Sequence, residues 1–256
     1  MRKRLLSMAA GLAVAVAGVA VALPAAPASA APLTKVLVFS KTAGFRHSSI
    51  GPGITAIQQL GAANGFTVTA TEDANQFTTA NLAQFQAVVF LSTTGDVLNA
   101  TQQTAFESYV RGGGGYVGIH SAADTEYDWP FYGRLVGAYF KQHPAVQTAT
   151  VDVTAPFARA ARLPRAWTRT DEWYDFRANP RPHVHVLATL DESTYAGGTM
   201  GADHPLVWCH RSGGGRAWYS EMGHTPESWT DPAFRRHVLA GLRFAAQGWR
   251  GGCPAV

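Results

Sequence analysis

The chain has 256 residues, 46% hydrophobic and 15% charged, a length and composition typical of a globular protein with one large core. Its formal net charge is +4, and removing the three cations of residues 1–30, which include no acidic residue, leaves +1. This near-neutral balance excludes the strongly basic surface typical of nucleic-acid-binding proteins, so we expect no such partner.

The first thirty residues have the pattern of a secretory signal peptide. Three cations at positions 2–4 precede an apolar stretch at 5–23, and Ala28-Ser29-Ala30 matches a small-x-small cleavage site. An uncleaved membrane anchor is the alternative, because the apolar stretch approaches spanning length. We expect cleavage, secretion, no membrane contact afterwards, and a single domain over 31–256 with its core at about 35–247.

The first half of the remaining chain alternates strands and helices. Apolar runs predict buried strands at Lys35–Ser40, Ala87–Leu91 and Tyr116–Ile119. A further strand is indicated at Phe66–Ala70, and helices are indicated at about 51–64 and 99–111. Asn99 followed by Gln102 predicts a capping box at the start of the second helix. This alternation is typical of an α/β, flavodoxin-like, doubly wound fold with a mostly parallel sheet.

The C-terminal half predicts antiparallel additions to this sheet. Strands are indicated at 148–153, 184–190, 206–210 and 216–220. Gly213-Gly214-Gly215 predicts a hairpin turn, and Asp231-Pro232 predicts the start of a final helix. The stretch from Arg159 to Arg169 holds four arginines, is interrupted by proline, and is interpreted as a solvated loop.

Cys209 and Cys253 are the only cysteines of the chain. Two cysteines in an exported protein indicate one disulfide, which here would tie the C-terminal tail to the strand that contains Cys209. A cysteine nucleophile is the rival interpretation, but neither cysteine lies in a sharp turn after a strand.

The segment Gly118-Ile119-His120-Ser121-Ala122 carries the strongest functional signal. It places polar residues directly after a buried strand, at the sheet edge where open α/β proteins bind ligands. Its small-x-polar-x-small spacing is similar to a nucleophile elbow, but His120 occupies the position of the Ser or Cys nucleophile. We therefore expect His120 and Ser121 to lie in a functional site.

Further polar side chains from this segment and from other loops would lie in the same crevice. These side chains are Arg46, His47, Asp124, Asp171, Glu172, Tyr174 and His224. His, Asp and Glu from separate loops are the groups that general acid–base catalysis uses. One or two of the tryptophans would form a surface on which a sugar ring stacks, and the others are expected in the core.

Zinc binding is the alternative for the histidines of these loops, which are His47, His120, His143 and His224. No pair has the helical His-x-x-x-His spacing, so we expect no metal or other cofactor, with zinc as the alternative.

The ordered motifs of the chain resemble those of the ThuA-like (trehalose-utilisation) family. The matching segments are Lys35–Ser40, Gly44–His47, Gly114–Asp124, Asp171–Tyr174 and Gly223–Ser228. This family is similar to class I glutamine amidotransferases, which place Cys at the elbow and use a later His followed by Pro and Glu. His224 resembles that later His, but His120 replaces the Cys, so glutamine amidotransfer through a thiolate is not expected.

The resemblance implies a carbohydrate-directed function. We expect an exported enzyme that acts on a small-molecule carbohydrate, a keto-sugar or glycoside, with His120, His224 and Asp124 as its catalytic groups. The substrate-binding residues would be Arg46, His47, Ser121, Glu172 and Tyr174. The alternatives are a non-catalytic sugar-binding or interaction domain and a zinc-dependent hydrolase.

Overall fold

The computed structural model of the chain describes residues 32–247 and residue 253. The predicted signal peptide and its cleavage site lie outside the described residues, so their expectations stand as predictions. Within 32–247, no helix combines the length and the apolar character that crossing a bilayer requires.

Eleven strands and six α-helices are present in the described part of the chain. The strands are β1 (Lys35–Phe39), β2 (Thr67–Thr71), β3 (Ala87–Leu91), β4 (Gly115–Ile119), β5 (Phe140–Gln142), β6 (Gln147–Val153), β7 (Ala166–Asp171), β8 (Asp175–Phe176), β9 (His185–Asp191), β10 (Pro205–Ser212) and β11 (Gly215–Ser220). The helices are α1 (Ile50–Asn64), α2 (Thr79–Leu82), α3 (Ala100–Arg111), α4 (Pro130–Val136), α5 (Ala155–Ala161) and α6 (Pro232–Gln247).

Nine of these strands form one sheet of order β2-β1-β3-β4-β11-β10-β9-β6-β7. The first five are parallel to one another, and the remaining four pair antiparallel. The parallel half therefore has the 2-1-3-4-5 order of flavodoxin-like folds. The predicted α/β fold, with a mostly parallel sheet and antiparallel additions in the C-terminal half, is confirmed.

The core has two layers because helices cover both faces of the parallel strands. Val36 and Val38 of β1 pack in one layer with α1 and α6, whereas Leu37 and Phe39 pack in the other with α3 and α4. Successive side chains of a strand point to opposite faces, so a strand buried on both sides reads as a continuous apolar run. This is why β1, β3 and β4 were predictable as buried strands. The edge strand β2 is mostly exposed, and β11, expected among the antiparallel additions, pairs antiparallel with β10 but parallel with β4.

The basic stretch is a solvated loop only in part. Arg162 and Arg165 are exposed in the loop between α5 and β7, and Arg159 is exposed on α5. The Arg169 side chain, on β7, is only 6% exposed and contacts Asp171 at 2.9 Å. In β7 the inward positions alternate as Trp167, Arg169 and Asp171, so a buried ion pair replaces the apolar residues by which strands are recognised. The interpretation as a solvated loop was wrong for Arg169 for this physical reason.

The capping box, the disulfide and the tryptophans were also predicted from the sequence. Asn99 and Gln102 form the predicted capping box, and Cys209 and Cys253 form the predicted disulfide. Four tryptophans are buried in the core with at most 2% exposure and offer no stacking surface to a sugar: Trp173, Trp208, Trp218 and Trp229. The expectation that most tryptophans lie in the core is therefore confirmed for these four.

Candidate functional site

A sharp turn follows β4 at the centre of the sheet. His120 has a positive φ of 52° and begins a short 3₁₀ helix that extends to Asp124. Few non-glycine residues adopt this backbone region, and such strain is concentrated at functional sites. Gly118 is required just before the turn, because a Cβ there would lie 2.6 Å from the Tyr116 hydroxyl.

Four side chains converge at the carboxyl end of the parallel strands, and we call them the His–Glu cluster: His47, His120, Glu172 and His224. Each offers one nitrogen or oxygen, and these four atoms all lie within 4.8 Å of one another. The four residues follow β1, β4, β7 and β11 respectively. The structure thus brings together three of the predicted histidines and the predicted carboxylate.

The shortest distances within the cluster form a triangle. His120 Nε2 lies 3.1 Å from His224 Nδ1 and 3.4 Å from Glu172 Oε2. His224 Nδ1 lies 3.1 Å from the same Glu172 oxygen. All three atoms therefore face a common point.

The tautomer of neutral His120 is set by its surroundings. Its Nδ1 lies 2.8 Å from the Glu221 carbonyl oxygen, which can only accept, so Nδ1 carries the proton and donates it. Nε2 then holds a lone pair directed into the cluster, where the Tyr174 hydroxyl donates to it over 3.0 Å. The side chain of His120 is fully buried.

The imidazole of His47 packs beside these groups, in surroundings that favour its neutral form. Its Nδ1 lies 3.3 Å from the Ser121 hydroxyl, and its ring packs edge-on against His120 at 4.7 Å and His224 at 5.2 Å. Burial, followed by the neighbouring imidazoles of His120 and His224, lowers the pKa of His47 to about 3.

Glu172 is the anionic centre of the cluster. Burial alone would raise its pKa, but the imidazoles of His120 and His224, which donate to the carboxylate in their protonated forms, outweigh burial and hold the pKa of Glu172 well below its usual range. Burial alone would lower the pKa of His224, and Glu172 reverses this, so the pKa of His224 lies above its usual value. The other oxygen, Glu172 Oε1, contacts Nδ1 of the exposed His143 at 3.2 Å.

Asp171 fixes the loop that carries His224. Its carboxylate accepts the backbone N–H of both Gly223 and His224 at 3.0 Å, and it also accepts from Arg169 at 2.9 Å. Because Asp171 is the last residue of β7, this network joins the edge of the sheet to the loop after β11. The sequence placed Asp171 among the polar loop residues but gave no indication of this supporting role.

Two predicted site residues have other partners. Asp124 Oδ1 accepts from the Tyr127 hydroxyl at 2.6 Å, and within the described chain its carboxylate makes no hydrogen bond to the His–Glu cluster. Arg46 lies at the surface, half exposed, and pairs with Glu72 at 2.6 Å. Their roles in catalysis and substrate binding stay predictions.

Sequence reasoning missed Phe45. Its side chain is 68% exposed, and its ring packs against His47 with 4.9 Å between the ring centroids. An exposed phenylalanine next to buried imidazoles places an apolar surface beside the His–Glu cluster. The available signal was its position between Gly44 and Arg46 in a loop that follows a strand.

A second group of potential ligands is already occupied by protein donors. Asp175 accepts from the backbone and hydroxyl of Thr199, and Glu192 accepts from the backbone of Met200 and Gly201. His204 contacts Glu192 and the Tyr174 carbonyl through its two nitrogens. These contacts order a loop and hold Tyr174 in place next to His120.

The chain has no free thiol, because its two cysteines form the disulfide. The turn after β4 therefore has the backbone shape of a nucleophile elbow without a cysteine nucleophile, as the sequence indicated.

Fold and site together define a flavodoxin-like α/β protein with a buried His–Glu cluster at the carboxyl edge of its parallel strands. Residues 35–245 match the model of the ThuA family, described as trehalose utilisation. The chain belongs to the ThuA family. A search of curated proteins finds no significant match.

Several solved structures share the fold. A ThuA-like protein from Bacteroides uniformis is 25% identical with a TM-score of 0.72, and the alignment covers 88% of this chain and 95% of that one. A ThuA-like protein from Parabacteroides merdae is 21% identical with a TM-score of 0.70, covering 85% and 91%. A β-galactosidase from Bacillus circulans is 14% identical with a TM-score of 0.52, covering 84% of this chain but only 31% of its own, and this likeness concerns the fold alone.

Proposed function

We propose that the chain is a carbohydrate-active metalloenzyme in which the His–Glu cluster binds one divalent transition metal. The observation that carries this proposal is the convergence of four ligand atoms within 4.8 Å of one another. The family description, trehalose utilisation, supports a sugar as the substrate. We take the substrate to be a keto-sugar or glycoside and the protein to be exported, which its disulfide supports.

The distances between the ligand atoms agree with metal coordination. Bonds of about 2.0–2.1 Å place neighbouring ligands about 3.3 Å apart in a tetrahedral site and about 3 Å apart in an octahedral one. The three cluster distances are 3.1, 3.1 and 3.4 Å. Imidazole and carboxylate ligands suit zinc, iron, nickel and manganese, and coordination numbers of five or six leave positions for substrate oxygens.

The surroundings of His120 also resemble those of a metal ligand. A ligating histidine almost always donates its other ring N–H to a carbonyl or carboxylate, which orients the ring and leaves a lone pair for the metal. His120 makes this contact with the Glu221 carbonyl, and His47 has Ser121 in the corresponding position.

A metal at this point would act as a Lewis acid on the substrate. Polarising the carbonyl oxygen of a keto-sugar makes the adjacent C–H bond acidic, and activating a water would serve hydrolysis of a glycoside. His120 and His224 would then be ligands rather than the acid–base groups expected from sequence. Phe45, at the exposed side of His47, would pack against the apolar face of the sugar.

The test is metal analysis of the purified, untagged protein after reconstitution with zinc, manganese or cobalt. We expect about one metal ion per chain, and the visible spectrum of the cobalt form reports the coordination number. Glu172→Gln and His120→Ala should each bind the metal at least tenfold more weakly, since each removes a ligand. His185→Gln, a partly exposed histidine on β9, is the matched control and should bind the metal as wild type does.

A metal content near zero after reconstitution would refute the proposal. The second candidate is then metal-free acid–base catalysis by His120 and His224, which is favoured by the contact of Glu172 with both imidazoles. Hydrogen–deuterium exchange at the α-carbon of a keto-sugar in D₂O separates the two. Exchange that stops when the metal is chelated supports the metalloenzyme. Exchange that continues after chelation supports metal-free acid–base catalysis. Sugar binding without turnover indicates a non-catalytic domain.

A further inference from the structure

A cavity beside α4 is separate from the His–Glu cluster and shares no lining residue with it. Its volume is about 660 Å³, within the range typical of small-molecule sites. Four arginines line it, Arg111, Arg134, Arg177 and Arg211, and its lining includes no acidic residue.

The positive charge of this cavity is largely uncompensated. Arg111 pairs with Glu107 at 2.6 Å, and Arg177 stacks on the Tyr127 ring while its Nε donates to the Phe140 carbonyl. In the described part of the chain, the guanidinium groups of Arg134 and Arg211 have no hydrogen bond or ion pair. Two free guanidinium groups match the paired oxygens of a carboxylate or phosphate.

A buried acceptor in the same lining has no partner. His210 is 94% buried, and its Nε2 lies 3.0 Å from the Arg134 carbonyl, which can only accept, so Nε2 carries the proton. Its Nδ1 therefore holds a lone pair, and no hydrogen-bond partner for that atom is present among the described residues. This atom has almost no accessible surface, so its cost of about 1–3 kcal/mol falls on the fold and adds nothing to ligand binding in the cavity.

We infer that this cavity binds an anionic sugar derivative, whose carboxylate or phosphate contacts Arg134 and Arg211. Tyr139, which is partly exposed, also lines the cavity and gives a sugar ring a surface to pack against. The inference does not depend on the proposed metal site, because the two sites use different residues.

Calorimetric titration of the full chain with glucuronate, glucose 6-phosphate and glucose tests this site. We expect one of the two anions to bind at one site per chain with a Kd of about 1 mM or lower, and the better one identifies the anion as carboxylate or phosphate. Glucose should bind at least tenfold more weakly, because it lacks the charge-assisted contacts.

The double variant Arg134→Gln, Arg211→Gln should lower the affinity for the anion at least tenfold. The variant should still fold, because these two guanidinium groups have no other partners among the described residues. Arg236→Gln on α6, which lines a different groove, is the matched control. Absence of saturable binding by either anion, equal binding of glucose, or unchanged affinity in the double variant would each overturn the inference. Metal content is measured in parallel and should not change.

Discussion

Asp171→Asn tests whether the loop after β11 is held in place by one buried carboxylate. The substitution removes a fully buried charge that receives two backbone N–H groups and Arg169. It leaves the Arg169 guanidinium with only the more distant carboxylate of Asp231, at 3.8 Å. Breaking a buried ion pair costs about 3–5 kcal/mol. For a domain of this size each kcal/mol lowers Tm by about 2–4 °C, so we expect a fall of about 6–20 °C.

The same substitution should weaken metal binding, because Asp171 fixes the backbone of the proposed ligand His224. Loss of a supporting contact around a metal ligand typically costs about 10–100-fold in affinity. Glu126→Gln is the matched control, since Glu126 is also a buried carboxylate that accepts two consecutive backbone N–H groups, those of Val97 and Leu98, away from the cluster. It should lower Tm without changing metal affinity.

The assay is thermal unfolding by circular dichroism together with a zinc titration of both variants. Two results would refute the reasoning about Asp171. One is an Asp171→Asn protein as stable as wild type, and the other is a destabilised protein whose metal affinity is unchanged.

Three further predictions concern other parts of the molecule. Cys253→Ser opens a disulfide with a sequence separation of 44 and should lower the free energy of unfolding by about 4 kcal/mol in urea titrations; equal stability of variant and wild type would contradict this. Burial lowers the pKa of His210 to about 4, so the unfolded chain takes up the proton first as the pH falls below 6.5. Stability should therefore fall as the solution is acidified, with His210 contributing a loss of about 2 kcal/mol between pH 8 and pH 5, and His210→Gln should remove that part of the pH dependence. Phe45→Ala should raise the KM for a sugar substrate about tenfold without changing metal content, whereas Val146→Ala, at another exposed hydrophobic residue of the described chain, should leave KM unchanged.

The central parallel strands β1 and β3 were predictable because almost all of their residues are apolar. Ala87–Leu91 is apolar at every position, and all five residues are buried. The antiparallel edge was less predictable, since Ala166–Asp171 buries Arg169 and Asp171 where periodicity analysis looks for apolar side chains. A buried polar pair has no signature in the pattern of one strand, because its partners, such as Ser228, lie far along the chain.

The candidate site could be predicted by residue type but not by arrangement. A polar residue after a buried strand identified His120, and loop position identified His47 and His224. Nothing in the sequence shows that Glu172 completes the cluster. Nor does it show that His143 lies outside the cluster and contacts only Glu172 Oε1. The positions of Glu172 and His143 depend on the path of the chain after β7, and tertiary packing determines that path.

The His–Glu cluster also has a consequence for folding. Its residues span positions 47 to 224, so the unfolded chain contains no local version of the site, and the ligand atoms meet only when both halves of the sheet have joined. Any ion held there binds the native state alone and adds its binding free energy to stability, by about 2.7 kcal/mol at a concentration one hundred times its Kd. The proportion of folded chains would then depend on the supply of metal in the compartment where the protein folds.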